Sequence, residues 1–321
     1  MDAFWALAIA NLTSPMILFF ALGLSAALLR SDLNVPEAVA KGMSLYLLLA
    51  IGFKGGVGVA AQGLDTTLFL ALLAGAALSA ILPLLAFAFL VHSTKLKRVD
   101  AAAVAAHYGS ISIVTFLASA QALDTAGVTY EGYMVAVAAI METPAIIIGL
   151  WLARGRSGGL DASTAREVFF NGSILMLVGS FAIGVISGPE GLESISSFIV
   201  DPFKGVLCLF LLDMGLIAGR GLREGRGDFT PGVVAFGLYM PLVGAVTGIV
   251  AGKLIGLSEG GIALLATLCG SASYIAVPAA LRLALPEART SLCLSLSLGI
   301  TFPFNLSIGI PVYLYLAAWI T

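Results

Sequence analysis

Long apolar runs separated by short polar connections dominate the chain, and their length decides what they are. A helix needs about 20 predominantly apolar residues to cross the hydrocarbon core of a bilayer. Ten stretches approach or exceed that length: 13–30, 38–62, 66–92, 99–121, 132–153, 168–187, 198–221, 231–256, 260–283 and 291–318. The longest connection between them, 154–167, reads as a short solvated linker. The pattern predicts an all-α polytopic membrane protein of ten transmembrane helices.

Within the runs, polar residues recur at matching places. "GSISIV" (109–114) returns as "GSASYI" (270–275), and "LLLAIGFKGG" (47–56) as "LFLLDMGLIAG" (209–219), with Gly52 opposite Gly215. "METPA" (141–145) returns as "ITFPFN" (300–305), with Pro144 opposite Pro303. The three offsets are 163, 161 and 159 residues. Five spans per half force the two copies into opposite orientations. Residues 1–153 and 168–321 are thus expected to form a 5+5 inverted repeat, a plan common among secondary transporters.

Composition narrows the class. The chain is 60% hydrophobic and 11% charged, against about 25% charged in soluble proteins. A net charge of −2 argues against a nucleic-acid partner. Two histidines and three cysteines are too few for a metal-rich centre, and the cysteines lie inside apolar runs where they read as packing. Of the 16 Lys and Arg residues, all but Lys54, Lys204 and Lys253 fall at the odd-to-even connections. By the positive-inside rule those connections are cytoplasmic and both termini lie outside. A bacterial inner membrane is the expected location.

Spans 4, 5, 9 and 10 carry polar or helix-disturbing residues near their midpoints. Proline lacks an N–H and glycine loosens a helix, so the backbone can unwind there. Unwound backbone survives at membrane depth only where protein or a water-filled cavity covers it. The resulting half-helix N-termini attract anions, while freed carbonyls and side-chain oxygens suit Na⁺. Gly109, Ser110, Ser112, Gly270, Ser271 and Ser273 are the candidate anion-binding residues, and Thr115, Glu142, Thr143, Tyr274, Thr301 and Asn305 the candidate sodium ligands. Close helix packing is the alternative use of any single Ser or Gly here. Glu142 stands out, because a charged acid at a helix centre costs about 2.5–3.5 kcal/mol to insert. It reads as a cation ligand or coupling carboxylate, or else as a protonated acid bonded to a neighbouring helix. Lys54 and Asp213 lie on symmetry-related spans 2 and 7 and are expected to form a structural ion pair, the alternative being that one lines the transport path. His107 is expected to be a core histidine bonded to a carbonyl.

These segments, with 34–56, 99–123, 128–145 and above all 270–313, resemble the sodium-dependent bicarbonate transporter family. The resemblance implies a core domain from spans 3–5 and 8–10 moving against a gate domain from spans 1, 2, 6 and 7. It also implies an elevator-type mechanism, a homotrimer, and bicarbonate import driven by Na⁺ as the coupling ion, with no organic cofactor and no enzymatic reaction. The family's serine-rich breaks fall on Ser110, Ser112 and Thr115 and on Ser271 and Ser273, and its acid-x-Pro element falls on Glu142 and Pro144. The chain departs from cyanobacterial members at Tyr274, where they carry an acid, and at Ile113 and Val114, where they are small and polar. Its 154–167 linker is shorter than theirs, which bears on regulation by a PII-like partner. These departures leave open a same-fold symporter for another small anion or monocarboxylate, coupled to Na⁺ or H⁺.

Overall fold

The computed structural model describes residues 9, 12–63, 65–154, 172–224 and 229–321. The predicted linker, 154–167, lies outside these residues save for Arg154. Every regular element among the described residues is helical, as expected where lipid offers the backbone no hydrogen-bond partner.

The first half runs α1 (Pro15–Leu28), α2 (Glu37–Gln62), α3 (Thr66–Ser93), α4 (Arg98–Gly109), α5 (Ile113–Ala126), α6 (Met134–Ile140) and α7 (Glu142–Arg154). The second runs α8 (Gly172–Ser194), α9 (Ser196–Ile199), α10 (Phe203–Glu224), α11 (Pro231–Ile255), α12 (Glu259–Cys269), α13 (Ala276–Ala284) and α14 (Thr290–Leu296). A last stretch follows, in which π-helical turns at Ser297–Thr301 and Asn305–Gly309 flank α15 (Phe302–Phe304) and lead into α16 (Ile310–Ile320). Among the described residues, eight helical segments are long and apolar enough to cross a membrane. The first and ninth predicted spans are represented by shorter apolar helices, Pro15–Leu28 and Glu259–Cys269. The ninth is short because it stops at the "GSASYI" break.

Two helix pairs pack backbone to backbone through glycine. A Cβ at Gly215 on α10 would sit 2.2 Å from the Phe20 carbonyl oxygen of α1, and one at Gly184 on α8 would sit 2.1 Å from that of Phe53 on α2. Only glycine permits such an approach. Within each pair the contacts advance in step: Gly23 meets Leu212 and Gly219 meets Leu24, while Gly52 meets Leu177 and Gly56 meets Phe181. Each pair is therefore parallel.

The other helices form a second group, laced across its ends by polar contacts. Buried Asp100 accepts from the Arg289 backbone N–H and from Arg289 Nε, each at 3.0 Å. At the far end of span 4, Glu131 accepts from the Ser258 N–H at 2.7 Å and from its hydroxyl at 3.0 Å. Each contact joins a residue of the first half to one of the second. A cleft of about 660 Å³, lined almost wholly by apolar side chains, separates α3, α6 and α7 from α8.

Candidate functional site: two crossed helix breaks

Helix interruptions occur where the glycine-serine phrases stand. α4 ends at Gly109 and α5 begins at Ile113, while α12 ends at Cys269 and α13 begins at Ala276. A helix leaves its first N–H groups and last carbonyls without internal partners, so four helix ends bring such groups into the interior. Ser112 caps α5: its Oγ accepts from the Thr115 N–H at 3.1 Å and from the Thr115 hydroxyl at 2.9 Å.

The two breaks bond to each other. The Ser112 N–H donates to Ser271 Oγ at 2.9 Å, and that hydroxyl donates onward to the Leu268 carbonyl at 2.8 Å. The Ser273 N–H donates to the His107 carbonyl at 2.8 Å, and His107 Nδ1 lies 2.6 Å from the Ser273 carbonyl oxygen. The Ser273 hydroxyl accepts a long bond, 3.4 Å, from the Val277 N–H. Asn305 supports the second break from span 10. Its Nδ2 donates to the Gly270 carbonyl at 2.8 Å and its Oδ1 accepts from the Tyr313 hydroxyl at 2.7 Å. Thr301 donates to the Gly237 carbonyl at 2.8 Å and bonds the Tyr108 hydroxyl. Gly109 gives room for Pro83, whose Cγ would lie 2.1 Å from a Cβ there.

Among the described residues of these spans, four buried polar atoms have no hydrogen-bond partner: Ser110 Oγ, Tyr274 OH, Glu142 Oε2 and Ser297 Oγ. Ser110 and Tyr274 come one from each break. The Tyr274 ring packs edge-on against Phe302, its hydroxyl toward Ser112 but without a bond of normal geometry. Glu142 opens α7, directly after the single-residue interruption at Met141. Leaving such groups unpaired in the interior costs about 1–3 kcal/mol each, more for a charged one. Each such group in a native interior calls for an explanation.

Three expectations are corrected. Lys54 and Asp213 make no ion pair: Lys54 Nζ lies 5.3 Å from the centre of the Phe203 ring, while Asp213 is buried within α10. Lys54 instead lines a cavity of about 350 Å³ between α2, α5 and the start of α10, together with Lys204, Gln121 and Asp124. Thr143 faces the apolar 660 Å³ cleft rather than the breaks, because adjacent helical residues point about 100° apart. Spans 5 and 10 do not unwind; span 5 is interrupted at one residue, and span 10 stays helical through two π turns, with Pro303 in α15 between them and Pro311 in α16. His107 is the carbonyl-bonded core histidine expected. The sequence reading missed the pairings of Asp100 with Arg289 and of Glu131 with Ser258, and a buried hydroxyl pair, Ser119 with Thr267 at 2.9 Å, that also links the halves.

Comparison with curated proteins finds no match. A profile of the Na⁺-dependent bicarbonate transporter superfamily, however, aligns with residues 15–318, nearly the whole chain. The protein is therefore a membrane transporter rather than an enzyme, and it belongs to the Na⁺-dependent bicarbonate transporter superfamily.

Proposed function

We propose that the protein imports bicarbonate by sodium-coupled symport, with anion and cation held side by side at the crossed breaks. The observation that carries this reading is the set of buried, partnerless polar atoms: Ser110 Oγ and Tyr274 OH at the breaks and Glu142 Oε2 at the start of α7. The N-termini of α5 and α13 supply positive dipole ends and N–H donors for the anion. The α5 end is already capped by Ser112; at α13 the N-cap residue Ile275 makes no cap bond, and the Val277 N–H makes only the long bond to Ser273 Oγ. Glu142 supplies the negative charge for Na⁺, with Ser110, Thr115 and nearby carbonyls as neutral oxygens.

The cavity holding Lys54 and Lys204 forms the outer mouth of the path. Its inner wall includes Phe116, one helical turn from Ser112, about 6 Å along α5. Two ammonium groups at such a mouth raise the local anion concentration.

The reading extends to ten spans in a 5+5 inverted repeat. The parallel pairs α1–α10 and α2–α8 are spans 1 with 7 and 2 with 6, which exchange under such a repeat. It extends also to an elevator-type movement of spans 3–5 and 8–10 against those pairs, in a homotrimer with cytoplasmic basic loops. The Tyr274 hydroxyl, which can donate as well as accept, favours one second reading: a different small anion whose extra oxygen accepts from it.

Uptake of labelled bicarbonate into proteoliposomes, with and without an inward Na⁺ gradient, tests the proposal. Accumulation should require the gradient. Uptake indifferent to Na⁺, or robust transport of another anion with none of bicarbonate, overturns it.

A further inference from the structure

The interruption of span 5 has a cause on a neighbouring helix. In a continuous helix the Ala145 N–H would donate directly to the Met141 carbonyl, four residues back. Here the Ser79 hydroxyl of α3 stands between the two. It accepts from the Ala145 N–H at 3.2 Å and donates to the Met141 carbonyl. The rung before it is absent as well, because Pro144 has no N–H to give to the Ile140 carbonyl. Both altered rungs pass over Glu142, which opens α7. A side chain inserted into the helical ladder is a known cause of a sharp kink. Ser79 is fully buried, and its behaviour is not that of an ordinary helical serine. Ser93, on the same helix, bonds back to its own chain at the Phe89 carbonyl, at 2.7 Å. Ser79 instead directs its single proton to another helix.

The same face of α3 reaches the first break. Pro83 lies one turn beyond Ser79 and packs against Gly109, the last residue of α4. A Cβ at Gly109 would be 2.1 Å from Pro83 Cγ and 3.1 Å from the Cβ of Ala145. Ser79, Pro83, Gly109 and Ala145 thus form one junction. It joins the start of α7, where Glu142 has a partnerless oxygen, to the end of α4, where Ser110 follows with its own.

We propose that Ser79 is a positioning residue for the coupling cation: its hydroxyl holds the ladder open at Met141 and so sets the direction of the Glu142 carboxylate. The inference rests on the reading of Glu142 as the sodium partner given above. Without the hydroxyl, the Ala145 N–H and the Met141 carbonyl bond each other, the ladder closes, and Glu142 turns with its helix. The fold loses little, because the two released groups satisfy each other. What changes is the affinity for Na⁺.

Titration calorimetry with Na⁺ on the full chain in detergent tests this, together with bicarbonate uptake into proteoliposomes at graded Na⁺. Ser79→Ala should weaken Na⁺ binding, and raise the Na⁺ needed for half-maximal uptake, about tenfold, the worth of one charge-assisted bond. The rate at saturating Na⁺ and the thermal stability should change little, a split that a purely structural role would not give. Ser79→Thr and Ser79→Val share one shape and differ in the hydroxyl. The Thr variant should bind Na⁺ more tightly than the Val variant, even if the added methyl disturbs both. Ser119→Ala removes another buried hydroxyl that links two helices and should leave Na⁺ affinity as it is. Glu142→Gln, measured alongside, should abolish Na⁺ binding. If it does, while Ser79→Ala binds Na⁺ like the wild type or the Thr and Val variants bind it equally, the positioning role is overturned and the proposed function stands. If Glu142→Gln binds Na⁺ like the wild type, both are overturned.

Discussion

The two helix breaks occupy matching places in the two halves, yet they are built differently. The first, between Gly109 and Ile113, is short and carries its own cap, Ser112 on Thr115. The second, between Cys269 and Ala276, is longer, and the start of α13 has only the long 3.4 Å bond from the Val277 N–H to Ser273 Oγ. Its shape is held from outside, by Asn305 on the Gly270 carbonyl and by His107 on Ser273. Residues matched in sequence differ too. Glu142 and Thr301 align when Pro144 is set opposite Pro303, but Glu142 has a partnerless oxygen while Thr301 is bonded to Gly237 and Tyr108. Under the proposed function, these side-chain differences would divide the work: a cation charge partner beside the first break, a weakly capped helix end for the anion at the second.

The largest effect should come from Glu142→Gln, which removes the charge and keeps the shape. Na⁺-dependent uptake in proteoliposomes should fall to background. In Thr301→Val, uptake should keep its sodium dependence while stability drops by about 1–3 kcal/mol from the orphaned partners. Sodium dependence that survives Glu142→Gln would end the assigned division of labour.

Next in size is the contrast in support. Asn305→Ala orphans the Gly270 carbonyl and the Tyr313 hydroxyl, a loss of about 2–6 kcal/mol for two buried groups. Ser112→Ala removes one cap, worth about 1 kcal/mol. Thermal unfolding in detergent should rank them in that order; equal losses would mean that both breaks are held the same way.

Tyr274→Phe sharpens the comparison from the functional side. The hydroxyl has no partner to lose, so thermal stability should hold or rise. If it meets the anion, the KM for uptake should rise about tenfold, the worth of one charge-assisted bond. An unchanged KM would assign the hydroxyl to neither ion. The smallest effect belongs to Lys54→Gln with Lys204→Gln. Charges at a mouth act at long range and are screened by salt, so KM should rise a few-fold at low ionic strength and little at high. A KM that is equally insensitive to salt in wild type and variant would remove both lysines from the path.

The apolar run lengths exposed the helices, and the repeated glycine-serine phrases marked where two of them stop. Both signals are local. What escaped was directional or long-range. Lys54 and Asp213 sit on symmetry-related helices, but a pair requires their side chains to point together, and helix rotation aims Lys54 at Phe203. Thr143 adjoins Glu142 in sequence and faces another way on the helix. Asp100 stands two residues from Arg98 and carries no motif of its own, while its partner Arg289 is 189 residues away. Glu131 and Ser258, 127 residues apart, carry no motif that would join them.

Those last two contacts have a mechanical meaning. Asp100 with Arg289 buttons one end of the second helix group, and Glu131 with Ser258 buttons the other. A block fastened at both ends resists shear between its halves, so the crossed breaks would ride as cargo in a closed crate. In the proposed elevator movement, displacement would then be absorbed where the crate is hung from the glycine-packed pairs. One such hanger is Gly63, with φ of 84° between α2 and α3, a swivel that a side chain would stiffen.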